Sequence, residues 1–366
     1  MTIPLGQASP QDYDSLFHKK AQLTKEEFSE FNPPELDVFP SPPSHYRMRA
    51  EFKVWHEQGT AYYAMYKPGE YKKPVKIDSY TIGSQLICSL MPTLLTELNA
   101  CEVLKRRLFQ VEFLTATTGE AITTLIYHRP LDDEWQQSAK ALSHILGCKI
   151  IGRSRGQKIA LSEDFIVERF QVADKEYHYQ QVETGFTQPN AAVCQSMLNW
   201  AIQSASDIGG DLLELYCGNG NFTLPLAQKF DRVLATEVAK TSVHSAQYNI
   251  KLNNVDNIAI ARMSSEEFTQ ALNGERAFRR LRDIDLDSYN FSTVFVDPPR
   301  SGLDKDTEKM VARFDHILYI SCNPVTLKEN LKALCETHII EKFAFFDQFP
   351  YTEHRECGVL LRRKGQ

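Results

Sequence analysis

Hydrophobic and polar positions follow two different rules in the two halves of the chain. In the first half they alternate. "YRMRAEFKVWHE" and "TAYYAMYKPG" predict a hairpin, "FQVEFLTATTG" with "AITTLIYHRP" a second strand pair, and "CKIIGRSRG" with "QKIALSED" a third. Helices are predicted over residues 8–31, near Ser84–Leu98, and in "DDEWQQSAKALSHILG" with its acidic first turn. "NPPELDVFPSPPS", Asn32 to Ser44, is a proline-rich connector, unfit for a helix interior or a central strand. After about residue 180 the pattern changes. Short apolar runs such as "DLLELY", "RVLATEV", "IAIARM", "TVFVD" and "HILYIS" alternate with helical stretches. That order predicts a mostly parallel, doubly wound sheet. "IIEKFAFFDQFP" and "ECGVLLRRK" are expected to close it as an antiparallel edge. The reading is α/β: residues 181–366 a Rossmann-like domain, residues 1–180 an α+β domain rich in antiparallel strands.

Composition narrows the class. The chain has 366 residues, 42% hydrophobic and 24% charged, ordinary for a globular protein of two domains. No apolar run reaches membrane-spanning length, and the N-terminal stretch lacks a basic start followed by an apolar core. Eight cysteines are scattered with no CxxC pair, so no zinc or iron–sulfur site is expected. Unpaired thiols without an export signal fit a reducing cytoplasm. The formal net charge is −6, yet between Val38 and Gln110 ten Lys/Arg face six Asp/Glu. The clusters Arg47/Arg49/Lys53, Lys105/Arg106/Arg107 and Arg153/Arg155/Lys158 are either solvated faces or a local footprint for an anion.

Ligands of doubly wound sheets bind outside the carboxyl ends of the strands. The first such strand runs into "ELYCGNGNF", where Gly218 and Gly220 permit a sharp turn and close ligand approach. The dinucleotide fingerprint wants a third Gly or Ala where Thr223 stands. The next strand ends in Glu237, placed to accept from ribose hydroxyls or to cap a helix. "VFVDPPR" puts Asp297 at the same edge, with Arg300 where exocyclic-amine methyltransferases carry an aromatic. In "HILYISCNPV", Cys322 ends a strand and Pro324 suits the first turn of a helix. A thiol there is either packing or a nucleophile that the helix N-terminus biases toward thiolate.

Taken in order, "FTQPN", "LYCGNGNF", "VDPPRSGL", "ISCNP" and "FPYTEHRECGVLL" resemble the RNA uracil-C5 methyltransferase family across the whole second half. "SHYRMRAEF", with Arg47 and Arg49, resembles its RNA-contacting N-terminal segment. Length and the missing cysteine quartet resemble the tRNA branch rather than the rRNA branch. The resemblance implies S-adenosyl-L-methionine bound at Gln188, Tyr216, Gly218, Gly220, Asn221, Glu237 and Asp297. It implies Cys322 as nucleophile, Glu356 as general base, and Phe109 and His128 against a flipped-out loop. The implied substrate is the T-loop uridine of tRNA, with tmRNA as a further partner. Methylation of another RNA pyrimidine, or an RNA-folding role with a vestigial site, are the competing readings.

Overall fold

The computed structural model describes residues 3–67, 69–70 and 72–365. Pro68, in the second arm of the first expected hairpin, and Met1 and Thr2 lie outside them. The chain forms two compact units. They do not part at one point near residue 180. Residues 1–13, 42–168 and 181–191 make the first; residues 14–41, 169–180 and 192–366 make the second.

The first unit is built on a seven-stranded sheet. Its order is Pro74–Lys76, Thr60–Tyr66, Arg49–Glu57, Leu108–Thr115, Ala121–Tyr127, Lys149–Ser154, Gln157–Ala160. Every neighbouring pair is antiparallel except Ala121–Tyr127 with Lys149–Ser154. That parallel pair needs a crossover, which the helix Asp133–Leu146 supplies. Asp132 caps it by accepting from the Trp135 amide at 2.9 Å. The alternation in Arg49–Glu57 has the expected consequence: Ala50, Phe52 and Val54 are buried while Glu51 and Trp55 are exposed. Phe52, Tyr63, Leu94, Phe113 and Trp135 belong to one core.

The second unit carries an eight-stranded sheet. Its order is Leu36–Phe39, His338–Phe346, Glu356–Arg363, His316–Ser321, Phe291–Val296, Asp211–Leu215, Val233–Thr236, Ile258–Ala261. From Asp211–Leu215 the chain winds outward to Ile258–Ala261, then returns to Phe291–Val296 on the other side of its starting strand. The order therefore reverses between Asp211–Leu215 and Phe291–Val296, the place where such sheets open a crevice. The expected C-terminal pair is antiparallel, but it is not the edge. Glu356–Arg363 lies between two neighbours, and Leu36–Phe39 adds in parallel outside His338–Phe346. The strand inside the proline-rich connector thus sits at an edge, between flanking prolines that stop it from extending.

Candidate active site

Three strand ends bring the chemistry together. His316–Ser321 lies between Phe291–Val296 on one side and Glu356–Arg363 on the other. Asp297 follows the first neighbour, Cys322 the central strand, and Glu356 opens the second. Val296 pairs with Tyr319, and Cys357 with Ser321. Cys322 is therefore flanked by a carboxyl from each side. It is half-exposed, whereas Glu356 is only 3% exposed.

Burial and these two neighbours set the protonation. The Cys322 thiol is pushed up to about 11, first by burial, then by Glu356 and Asp297; Arg300 acts in the opposite sense. The thiolate bias expected from the helix N-terminus is overridden. Asn323 accepts from the Val325 amide at 3.2 Å and so caps that helix with its own side chain, Pro324 following at the first turn. Burial also raises the Asp297 carboxyl. Glu356 is raised well above the carboxylate range, by burial and then by Asp297.

On the same edge, the loop after Asp211–Leu215 turns through Tyr216, Gly218 and Gly220, at φ 61°, 57° and 85°. No neighbouring atom crowds Gly218, so its backbone angle is what requires glycine. Tyr216 bears the same angle with a side chain, a strained position of the kind found at ligand sites. Its hydroxyl donates to Ser265 Oγ at 2.7 Å. Glu237 accepts from the Gly218 amide at 3.0 Å and from the Ala239 amide at 2.7 Å. Each oxygen keeps a second lone pair for a ligand hydroxyl. Asn221 Nδ2 lies 3.4 Å from Cys194 Sγ.

A cleft of about 380 Å³ opens here, its lining including Tyr216, Glu237, Val238, Met263, Leu303 and Asp304. Apolar walls with a few polar groups, at this size, suit a nucleoside. Met263, Ser264 and Ser265 also line the cleft and were not among the sequence candidates. Their signal is positional: they follow the third strand in the winding order and so reach the same edge.

The remaining candidates lie in the first unit. Gln188 belongs to it, whereas the other proposed cofactor residues belong to the second unit. Met48 donates its amide to the Pro189 carbonyl at 2.8 Å, and Arg47 bridges Asn190. Arg49 is half-buried and donates to the Gly185 carbonyl at 3.0 Å. Arg47 Nε donates to the Arg49 carbonyl at 2.9 Å. Phe109 sits at a register shift, skipped between the pairs Leu108–Tyr127 and Gln110–Ile126. Such a bulge re-aims a side chain. Phe109 stacks on His128 with centroids 4.0 Å apart and planes at 29°, and Lys53 Nζ lies 5.3 Å from its ring. Among the described residues, no group of three His, Cys, Asp or Glu could hold a metal ion.

A doubly wound sheet with a glycine loop, a nucleoside-sized cleft and a cysteine between two carboxyls fits the class of enzymes that use a nucleoside-bearing cofactor. Comparison with known proteins narrows it. Residues 12–364 match the model of the tRNA (Uracil-5-)-methyltransferase family, and the chain belongs to that family. A tRNA/tmRNA (uracil-C(5))-methyltransferase of Saccharophagus degradans is 62% identical over 365 residues, 100% of either chain. One from Teredinibacter turnerae is 61% identical, covering 98% of this chain and 99% of that one. A solved structure, the Pyrococcus abyssi tRNA (uracil-54, C5)-methyltransferase in complex with S-adenosyl-L-homocysteine, shares the fold. Its TM-score is 0.71 at 20% identity, over 95% of this chain and 83% of that one.

Proposed function

We propose that this protein methylates carbon 5 of the T-loop uridine of tRNA, uridine 54, and the equivalent uridine of tmRNA, in the cytoplasm. Family membership and the names of the relatives support the substrate. The observation that carries the mechanism is Cys322 held between the strand ends that bear Asp297 and Glu356.

Carbon 5 of uracil is a poor nucleophile. Addition of the Cys322 thiolate to carbon 6 pushes electron density onto carbon 5 as an enolate. When bound, S-adenosyl-L-methionine supplies an electrophilic methyl group for that carbon. Glu356 then takes the carbon 5 proton, the carbon 6–sulfur bond breaks, and the thiolate is restored. Tyr216, Gly218, Gly220, Asn221, Glu237 and Asp297 would hold the cofactor, and the family resemblance adds Gln188 to that set. Burial shifts both reacting groups toward their protonated forms in the free protein, so the loaded complex must favour their active forms.

Arg47 and Arg49 would secure the RNA, and the Phe109–His128 stack suits an unstacked T-loop base. Among the described residues no helix is long and apolar enough to cross a membrane. Nucleoside analysis of cellular tRNA after deletion and rescue tests the reading. Loss of 5-methyluridine on deletion, restored by the wild type and not by Cys322→Ala, is the expected result.

A further inference from the structure

The glycine loop is held from behind by two side chains that touch none of the reacting groups. Tyr179, on the strand Lys175–Val182, donates its hydroxyl to the Asn221 carbonyl at 3.0 Å. Asn249, on the helix Lys240–Leu252, donates Nδ2 to the Asn219 carbonyl at 2.9 Å. The two supports are tied to each other: Asn249 Oδ1 accepts from the Gln180 amide at 2.7 Å, one residue beyond Tyr179. Asn253, one helical turn on, grips the same strand by accepting from the His178 amide at 2.8 Å and donating to its carbonyl at 2.7 Å. Tyr179 is 1% exposed and Asn249 0%. Both donors are closed to solvent, so losing either bond would release a loop carbonyl from its anchor.

We propose that Tyr179 and Asn249 are positioning residues for the cofactor. They fix the carbonyls of Asn219 and Asn221, while Glu237 fixes the Gly218 amide. The loop thus holds its binding shape before a ligand arrives, and less ordering entropy is lost on binding. The inference rests on the reading that this loop contacts the cofactor. It adds one asparagine and one tyrosine to a site otherwise described by its front face.

The test uses the full-length protein with S-adenosyl-L-homocysteine in calorimetry and tRNA in steady-state assays. Tyr179→Phe keeps the ring and removes only the hydroxyl; Asn249→Ala is the second variant. Each is expected to raise Kd and the cofactor KM by about tenfold, one buried hydrogen bond's worth. The tRNA KM and kcat at saturating cofactor should stay within about twofold. A purely structural role would lower Tm and leave the ratio of cofactor KM to tRNA KM unchanged, which overturns the proposal. Glu237→Ala separates the two levels. If it weakens binding while Tyr179→Phe and Asn249→Ala do not, positioning is wrong and the cofactor reading stands. If none of the three changes Kd, both fall.

Discussion

Cys322 and Glu356 stand one residue beyond the last pair of an antiparallel ladder, Ser321 with Cys357. Glu356 raises the Cys322 thiol, and Asp297 raises both groups. The nucleophile is therefore stored as a thiol. A thiol raised to about 11 is almost wholly protonated at neutral pH.

Alkylation of Cys322 in the free protein should accordingly be slow at pH 7 and climb with pH toward 11, because only the thiolate reacts. Peptide-level mass spectrometry after iodoacetamide pulses gives the profile. A midpoint below the ordinary thiol value of about 8.5 contradicts the assigned environment.

Glu214 offers a stability test. It is 1% exposed. Burial, with Asp297 nearby, lifts its carboxyl to about 8. The folded state then binds a proton that the unfolded chain releases near 4.5, so stability is present below about 4.5 and is lost as pH rises toward 8. Glu214→Gln removes that loss. Its Tm advantage over the wild type should grow by several degrees between pH 5 and pH 8; a constant difference would show that Glu214 does not titrate in this window.

The two halves of the fold were unequally legible. Strict winding of short apolar runs made the parallel sheet readable. The hairpin of Phe165–Val172 with Lys175–Val182 was not seen. Its turn puts Ala173 at φ 51°, without the glycine or asparagine that normally signals such a reversal. Cys322, Asp297 and Glu356 could be singled out by motif, but their mutual charge effect arises only when strands from distant parts of the chain lie side by side. Phe109 gave no pattern signal either, since a bulge breaks the alternation that would reveal it.

Glu237→Ala should weaken S-adenosyl-L-homocysteine binding by about 2–3 kcal/mol, the combined loss of ligand bonds and of the Gly218 anchor. Calorimetry on folded protein reads this directly. Unchanged affinity would remove Glu237 from the cofactor site.

RNA binding should fall linearly in log affinity against log salt, through phosphate contacts. Phe109→Ala should cost about 1–3 kcal/mol of productive tRNA binding, the worth of one stacked base, and leave cofactor affinity intact. Filter binding over a salt series distinguishes the two effects. A flat salt dependence would contradict the phosphate assignment, and an unaffected Phe109→Ala the stacking one.

The most direct measurement is one denaturing gel of protein–tRNA mixtures with methyl-labelled S-adenosyl-L-methionine. Cys322→Ala should give no adduct and no product while still binding tRNA. Glu356→Gln leaves thiol addition and methyl transfer possible but cannot remove the carbon 5 proton, so a labelled protein–RNA band should accumulate and survive denaturation. Labelled adduct in Cys322→Ala, or wild-type turnover in Glu356→Gln, would contradict the assignment of nucleophile and base.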